Sequence, residues 1–165
     1  MNKLAGFTLV ELLVSIVVVS IGLIGLAAMQ LQGLRSNQIA FNRSIATELA
    51  YDIADRMNAN PVGVKNLSYH KVIASSASDC QAGACNPAEM ALYDLAQWNQ
   101  ALAASLPNGT GIVCLVSSTA APTLGTSDSP TDGCAGAGQI YVIKIWWDDD
   151  RSGNLAQGFM TSFEP

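Results

Sequence analysis

The sequence has little charge for its length, and it has one histidine. Its 8 basic and 13 acidic side chains in 165 residues give a net charge of −5. It contains no block of basic residues that would neutralise a run of phosphates, so nucleic-acid binding is disfavoured. His70 stands alone, and neither a G-x-S-x-G elbow nor a glycine-rich phosphate loop occurs. Catalysis is therefore unsupported, and we expect a protein that is not an enzyme and uses no cofactor.

One long hydrophobic run lies near the start of the chain. From residue 7 to residue 28 the only ionisable side chain is Glu11, and the run approaches the ~20 residues that cross a bilayer. The small pair Ala5-Gly6 precedes this run, whereas the cleavage site of a secretory signal peptide follows its apolar core. We therefore expect a transmembrane helix over residues 7–29. Lys3 on the short flank favours an orientation with the N-terminus inside and the remaining residues outside.

The segment "GFTLVELLVS", preceded by a short leader that contains Lys3, closely resembles the class III signal of type IV pilins and type II secretion pseudopilins. The resemblance implies that residues 1–6 form a leader, which a prepilin peptidase removes by cutting between Gly6 and Phe7. It also implies methylation of the new amino terminus on Phe7. The resemblance further implies an ion pair between Glu11 and the Phe7 amine, either of a neighbouring subunit or of its own chain before assembly.

Such a pair would explain why an acid is retained in an apolar helix. A central acidic residue costs about 2.5–3.5 kcal/mol of insertion free energy. Each charge is costly alone in a low-dielectric bundle, whereas the paired charges attract each other strongly. Glu11 is therefore expected to set the register between subunits. The alternative is an ordinary signal anchor with an acid tolerated near the interface.

Later segments of the chain make the resemblance more specific. "IATELAYDIADRMNANP", "CNPAEMALYDLAQWNQALAASLPNGTGIVC" and "YVIKIWWDDD" are similar to minor pilins called type IV pilus modification protein PilV. This implies a subunit anchored in the inner membrane with a periplasmic head, which then enters the pilus on the cell surface. It also implies a role in pilus initiation, the tip complex, twitching motility and adhesion. The implied partners are other minor pilins, the major pilin and a PilY-type tip adhesin.

Three alternatives remain open from sequence. A minor pseudopilin of a type II secretion system uses the same kind of helix with a different head. A membrane-anchored adhesin or binding domain would act alone. A major pilin is less expected, because a disulfide usually closes a loop near the C-terminus of those proteins, whereas 31 residues follow Cys134 here.

Residues 30–60 predict an amphipathic continuation of the same helix. Asp52 and Arg56 have the i,i+4 spacing of a surface ion pair. The helix should end at Asn60-Pro61, because the residue before a proline is disfavoured in the α conformation. One helix is therefore expected from Phe7 to about Ala59. Its packed stripe is predicted to contain Phe41, Ile45, Leu49, Ile53 and Met57, flanked by Ala46, Ala50 and Ala54.

Residues 61–165 predict a small periplasmic head. Val62 to Gln81 reads as a mixed loop. A helix then begins after Asn86, a good N-cap that is followed by Pro87 and by Glu89 at the third helical position. The helix should stop near Leu106-Pro107. Its buried face is predicted to contain Ala91, Leu95, Trp98 and Leu102.

Strand signals follow at Gly111–Ser117, Gln139–Trp147 and Gly158–Phe163. The predicted fold class is therefore α+β. Together with the resemblance, it implies a type IV pilin fold, in which a long N-terminal helix packs on a small antiparallel sheet. Trp146 and Trp147 should point to opposite faces of a regular strand, so that one lies in the core and the other is either buried or available to a neighbouring subunit.

Four cysteines lie in the predicted head, where an oxidising compartment permits disulfides. Their spacing favours the pairs Cys80–Cys85 and Cys114–Cys134. A four-cysteine zinc site is the alternative, but "CQAGAC" does not have the usual ligand spacing. "DDDRSGN" at residues 148–154 could hold calcium, yet it lacks the EF-hand spacing and the terminal glutamate, so a solvated hairpin turn is expected and no metal site is predicted.

Overall fold

The structure is a computed structural model that describes residues 6, 8–74, 77, 79–116, 123–127, 129–131, 133–134, 138–149, 152–153, 155 and 157–165. In chain order it contains helices α1 (Leu9–Ala59), α2 (Pro61–Lys65) and α3 (Pro87–Ser105), then strands β1 (Thr110–Val116), β2 (Ile140–Trp147) and β3 (Gln157–Phe163). The predicted α+β class, with a long N-terminal helix and an antiparallel sheet, is confirmed. The chain divides into two compact units, Met1–Ala40 and Phe41–Pro165.

Helix α1 extends from Leu9 to Ala59. No proline interrupts this span, and Pro61 follows its end as the sequence predicts. In the first unit its apolar side chains are exposed, including Leu9, which is 76% exposed, and Ile24, which is 71% exposed. The helix is long and apolar enough to cross a membrane by length and composition.

In the second unit, the buried face of α1 matches the predicted stripe except at its start. The predicted residues that are buried or packed against the core are Ile45, Ala46, Leu49, Ala50, Ile53, Ala54 and Met57. Phe41 is 60% exposed, and the adjacent Asn42 is buried instead. A stripe built only from i+4 steps drifts by about 40° at each step, because an α-helix has 3.6 residues per turn. Over 16 residues this drift carries Phe41 away from the face of Met57. The buried positions instead mix steps of three and four residues around one face, with Ile53 and Ala54 adjacent: Asn42, Ala46, Ala50, Ile53, Ala54 and Met57.

The segment after α1 is more ordered than the predicted loop. The Asn60 side chain accepts a hydrogen bond from the Gly63 amide at 3.1 Å, and Pro61 occupies the first turn, so the short helix α2 begins immediately. Lys71 then reaches the sheet, where its amide donates to the Val113 carbonyl at 2.9 Å. The prediction of a mixed loop from Val62 is therefore wrong for this first part.

Helix α3 begins as predicted. The Asn86 side chain accepts from the amides of Ala88 and Glu89, and the Glu89 carboxylate accepts from the Asn86 amide, which completes a capping box. The Trp98 indole donates to the Leu49 carbonyl of α1 at 2.8 Å. All four residues of the predicted apolar face are buried: Ala91, Leu95, Trp98 and Leu102.

The sheet is antiparallel with strand order β1-β2-β3. One face joins α1 and α3 in a single hydrophobic core. Gly111 on β1 is required by this packing, since a Cβ there would lie 2.5 Å from the Trp98 ring and 2.9 Å from the Lys144 carbonyl oxygen. The strand residues in the core are Val113, Leu115, Tyr141, Ile143, Ile145 and Trp147.

The opposite face of the sheet is also covered. The structure contains a Cys114–Cys134 disulfide, which ties β1 to the connection that precedes β2, and Leu124 from that connection packs on Gly158 of β3. Trp146 and Trp147 are 2% and 0% exposed. Both rings are therefore buried, and neither offers a contact surface to a neighbouring subunit.

Two acidic side chains in the hairpin turn between β2 and β3, Asp148 and Asp149, accept hydrogen bonds that stabilise the turn. Asp148 is buried, and its carboxylate accepts from the amides of Ser152 and Gly153 at 3.2 and 2.8 Å. One oxygen of Asp149 accepts from the side chains of Asn42 and Trp147, both at 2.6 Å. The prediction of a solvated turn is wrong for these two acids, because each carboxylate accepts hydrogen bonds from other groups of the protein.

Candidate functional site

The start of α1 places Glu11 in its first turn. The Glu11 amide donates to the Thr8 hydroxyl at 3.3 Å, and the Leu12 amide donates to the Thr8 carbonyl at 3.3 Å. Thr8 therefore acts as the N-cap, and an acid in the first turn is favoured by the helix dipole. Sequence reasoning missed Thr8, although T-L-V-E has the S/T-x-x-E pattern of a capping box.

Two predicted processing residues, Gly6 and Phe7, precede this helix start in the sequence. Gly6 is exposed and has no atoms within 4 Å of the position where a Cβ would lie. Phe7, the predicted methylation site, lies outside the described residues, and so does most of the predicted leader. The roles assigned to Gly6, Phe7 and Glu11 stay predictions.

The polar side chains within the apolar segment are satisfied by the helix itself. The hydroxyls of Ser15 and Ser20 donate to the carbonyls of Glu11 and Ile16, both at 2.7 Å. A serine bonded in this way carries no unsatisfied hydroxyl into hydrocarbon. Glu11 remains the ionisable side chain that needs a partner there.

In the head, a polar network joins the three helices. The Tyr69 hydroxyl donates to Asp94 of α3 at 2.6 Å and accepts from the Asn60 amide at 3.1 Å. Burial, and then the hydrogen bond to Asp94, raises the pKa of Tyr69 well above its usual value, so the hydroxyl keeps its proton. Arg56 of α1 bonds to Asp52, as its spacing predicts, and also lies 3.6 Å from Asp94.

His70 has a structural position at the sheet. Its Nδ1 accepts a hydrogen bond from the Leu115 amide at 3.0 Å, which requires the neutral imidazole. Burial lowers the pKa of His70, and the nearby charge of Lys71 lowers it further. The side chain of His70 therefore satisfies the Leu115 amide, which points away from β2 at the outer edge of β1.

The cysteines are joined in two bridges, Cys80–Cys85 and Cys114–Cys134. These are the pairs that the spacing favours. Across the part of the chain that the structure describes, no group of three or more His, Cys, Asp or Glu side chains is arranged to hold a metal ion.

Comparison with known families covers the first 96 residues in two adjoining matches. Residues 1–27 match the family described as the prokaryotic N-terminal methylation motif, and residues 28–96 match the family described as type IV pilin Tt1218. This chain is a type IV pilin-like protein. No match was found among curated proteins or among solved structures.

The match to a pilin family confirms the predicted type IV pilin fold, since the pilin-like chain has the long apolar helix and the small antiparallel sheet. The methylation motif implies processing by a prepilin peptidase and a context of pilus assembly. The type IV pilin-like chain is therefore a pilin subunit with a membrane anchor, and pilin families are structural.

Proposed function

We propose that this chain is a minor type IV pilin of the PilV kind, a non-catalytic subunit that helps to initiate pilus assembly and forms part of the tip complex. Prepilin peptidase cuts between Gly6 and Phe7 and methylates Phe7. The helix holds the subunit in the inner membrane with its head in the periplasm until it enters the pilus. Its partners are other minor pilins, the major pilin and a PilY-type tip adhesin.

The observation that carries the proposal is the exposed apolar surface of α1, which contains one carboxylate. Its large side chains are exposed from Leu9 to Leu34, and they need lipid or other helices to cover them. A surface of this length fits a bilayer first and a bundle of similar helices afterwards. Glu11 then distinguishes one depth of insertion from the next, because its charge needs a cationic partner at a defined level.

The cationic partner that we propose for Glu11 is the amine of Phe7. Thr8 caps the first turn, so cleavage after Gly6 would leave the amine of Phe7 one residue before the cap and four residues before Glu11. An amine so close to the positive end of the helix dipole adds a like charge to its own helix terminus. Pairing with a Glu11 carboxylate would neutralise both groups, first within the same chain before assembly and then with a neighbouring subunit in the pilus.

Glu11→Ala and Glu11→Gln test the proposal in cells that lack the native gene. Membrane insertion and cleavage should persist in both variants, because the apolar span and the cut site are unchanged. Recovery in sheared pili, and capture by the other minor pilins, should fall sharply for both, since Gln retains the shape without the charge. Wild-type assembly of both cleaved variants would show that Glu11 is merely tolerated.

Deletion of the gene separates the proposal from its alternatives. Loss of pili and twitching, restored by the wild-type gene, supports a pilus subunit. Loss of protein secretion with normal pili would instead identify a minor pseudopilin of a type II secretion system. Loss of surface binding alone, with normal pili and secretion, would identify an adhesin that acts by itself.

A further inference from the structure

A short segment after α2 covers the outer edge of β1 through two hydrogen bonds. The Lys71 amide donates to the Val113 carbonyl at 2.9 Å, and the Leu115 amide donates to Nδ1 of His70 at 3.0 Å. Backbone groups of alternate residues in a strand point to opposite sides, so these two bonds satisfy groups that point away from β2. One bond joins two main-chain groups, whereas the other depends on a side chain that can change its protonation state.

The segment is fixed at both ends by helix α3. Tyr69 is fully buried, and its hydroxyl donates to Asp94 at 2.6 Å. At the other end, the carbonyl of the buried Ala74 accepts from the Asn99 side chain at 3.3 Å. We call the residues between these two anchors, 70–73, the edge latch. The latch can therefore leave β1 while Tyr69 and Ala74 keep their bonds to α3.

The edge latch is bent and only partly buried. Lys71 and Ile73 are exposed, and His70 and Val72 are half-buried. Lys71 has φ 58°, in the left-handed region, where a side chain with a Cβ is crowded by the backbone. Such a conformation persists only where its surroundings hold it. The latch is therefore held closed by its two hydrogen bonds and by the partial packing of Val72 against the core.

Protonation of His70 removes one of these two bonds. Nδ1 can accept from the Leu115 amide only in the neutral imidazole, because both ring nitrogens carry a hydrogen in the imidazolium. Turning the ring over does not restore the bond, since a carbon atom then takes the place of Nδ1. An N–H group that is covered but has no acceptor costs free energy. The imidazolium therefore favours an open latch, in which water reaches both the ring and the Leu115 amide.

The surroundings of His70 favour the neutral ring while the latch is closed. Burial lowers the pKa of His70, and the charge of the neighbouring Lys71 lowers it further. Strand β1 contributes no charged side chain, and within the described residues no ion pair joins His70 to a carboxylate. The other ionisable groups on the elements around the latch line a cavity beside Leu115 or bond to Tyr69: Lys65, Tyr141, Glu164 and Asp94. Opening of the latch therefore gives the imidazolium the hydration that the closed state withholds.

We propose that the edge latch is an acid-sensitive device, which covers the edge of β1 while His70 is neutral and releases it when His70 is protonated. The inference stands apart from the proposed function, since it concerns the head alone. Once the latch is open, the outward groups of Val113 and Leu115 bond to water. Because an uncovered strand edge can also pair with another strand, acid changes the surface that the head offers.

The size of the effect follows from the protonation of the open and the closed latch. In the open latch the ring is in water and has a pKa near its ordinary value of 6.5, whereas the closed latch lowers that pKa. The open latch therefore binds the proton first, and the equilibrium constant for opening rises as the pH falls. The rise is up to about tenfold per pH unit between about 6.5 and the pKa of the closed latch.

Amide hydrogen exchange of the isotope-labelled full chain in detergent micelles, measured by NMR between pH 7.5 and 4.5, tests the device. Each exchange rate is divided by the intrinsic rate at the same pH, so that the ratio reports opening. We expect the opening of the Leu115 and Lys71 amides to rise with the protonated fraction of His70, which its ring resonances report in the same samples. The Cys114 amide, which faces β2, is the control and should keep its protection.

Two substitutions of His70 separate the effect of its charge from the effect of its acceptor. His70→Asn is the matched control, because its side-chain oxygen can replace Nδ1 as the acceptor and does not titrate. The Leu115 amide should then stay protected over the whole pH range. His70→Leu removes the acceptor and should raise the opening of the Leu115 amide at pH 7.5 by about fivefold, with no further rise in acid.

Four results would overturn the inference. The first two are a His70 ring that stays neutral down to pH 4.5, and a Leu115 amide whose protection does not change while His70 becomes protonated. The others are an equal loss of protection at Cys114, which would mean that the whole sheet loosens, and the same pH dependence in His70→Asn. Each of these results leaves the proposed function intact, because none of them bears on processing or pilus assembly.

Discussion

Replacing Tyr69 by Phe removes one hydroxyl from the centre of the polar network in the head. Tyr69 is fully buried, and Asp94, which accepts its hydrogen bond, is 6% exposed. The ring is retained, so no cavity term is added. The variant leaves a buried carboxylate oxygen without its donor, with Arg56 at 3.6 Å as the remaining cation beside that carboxylate.

The magnitude follows from the charge of the acceptor. Hydrogen bonds to charged groups contribute about 1.5–3 kcal/mol, against about 1 kcal/mol for neutral pairs. Tyr141→Phe is the matched control, because the buried Tyr141 hydroxyl donates to the neutral Val64 carbonyl at 3.0 Å. We therefore expect Tyr69→Phe to lower the free energy of unfolding by about 2 kcal/mol and Tyr141→Phe by about 1 kcal/mol.

Urea unfolding of the full chain in detergent, followed by tryptophan fluorescence, measures this difference. The three tryptophans, Trp98, Trp146 and Trp147, all lie in the head, so the signal reports head unfolding. With a slope of about 1–3 kcal/mol per molar urea, a loss of about 2 kcal/mol moves the midpoint by about 1 M. Equal effects of the two variants would refute the view that the Asp94 carboxylate makes this hydrogen bond stronger.

Two further predictions concern the head. The pKa of His70 is lowered from its ordinary value of 6.5 in the folded state, so the unfolded chain binds the proton first. The free energy of unfolding should therefore fall as pH drops from about 6.5 through the folded-state pKa. This loss should be smaller in His70→Gln, as measured by urea midpoints between pH 7.5 and 5. Replacing Cys114 and Cys134 by Ser should lower the free energy of unfolding by roughly 3 kcal/mol, because this bridge closes a sequence separation of 20 residues. Replacing Cys80 and Cys85 should lower it by roughly 2 kcal/mol, because that bridge closes a separation of 5 residues. Equal unfolding midpoints with and without reductant would contradict this prediction.

Local signals predicted much of the fold. Asn86, Pro87 and Glu89 mark the start of α3, and Asn60-Pro61 marks the end of α1, because caps and proline act within one turn. The side of α1 that is buried near Phe41 was predicted less well. Phe41 matches an i+4 pattern, but the helix turns it outward and buries Asn42, whose partner Asp149 is 107 residues away. That choice depends on the packed sheet and is invisible in a local window.

The residues of the candidate site also divide into those that a local motif predicts and those that depend on long-range contacts. Gly6, Phe7 and Glu11 stand out because a short motif specifies them, and Thr8 belonged to that motif as the helix cap. The position of His70 at the edge of β1 could not be predicted, since it depends on a hydrogen bond from the Leu115 amide, 45 residues away in the chain. Long-range pairing of this kind leaves no signal in the strand that carries it.

Mass spectrometry of the chain recovered from sheared pili tests the central claim most directly. A pilin subunit processed at the methylation motif should yield an N-terminal peptide that starts at Phe7 and carries one methyl group on its amine, and it should be enriched in pili over the membrane fraction. The matched control is a strain without prepilin peptidase, in which the membrane form should retain Met1 to Gly6. A chain that is absent from pili, and that keeps Met1 in cells with active peptidase, would contradict the assignment.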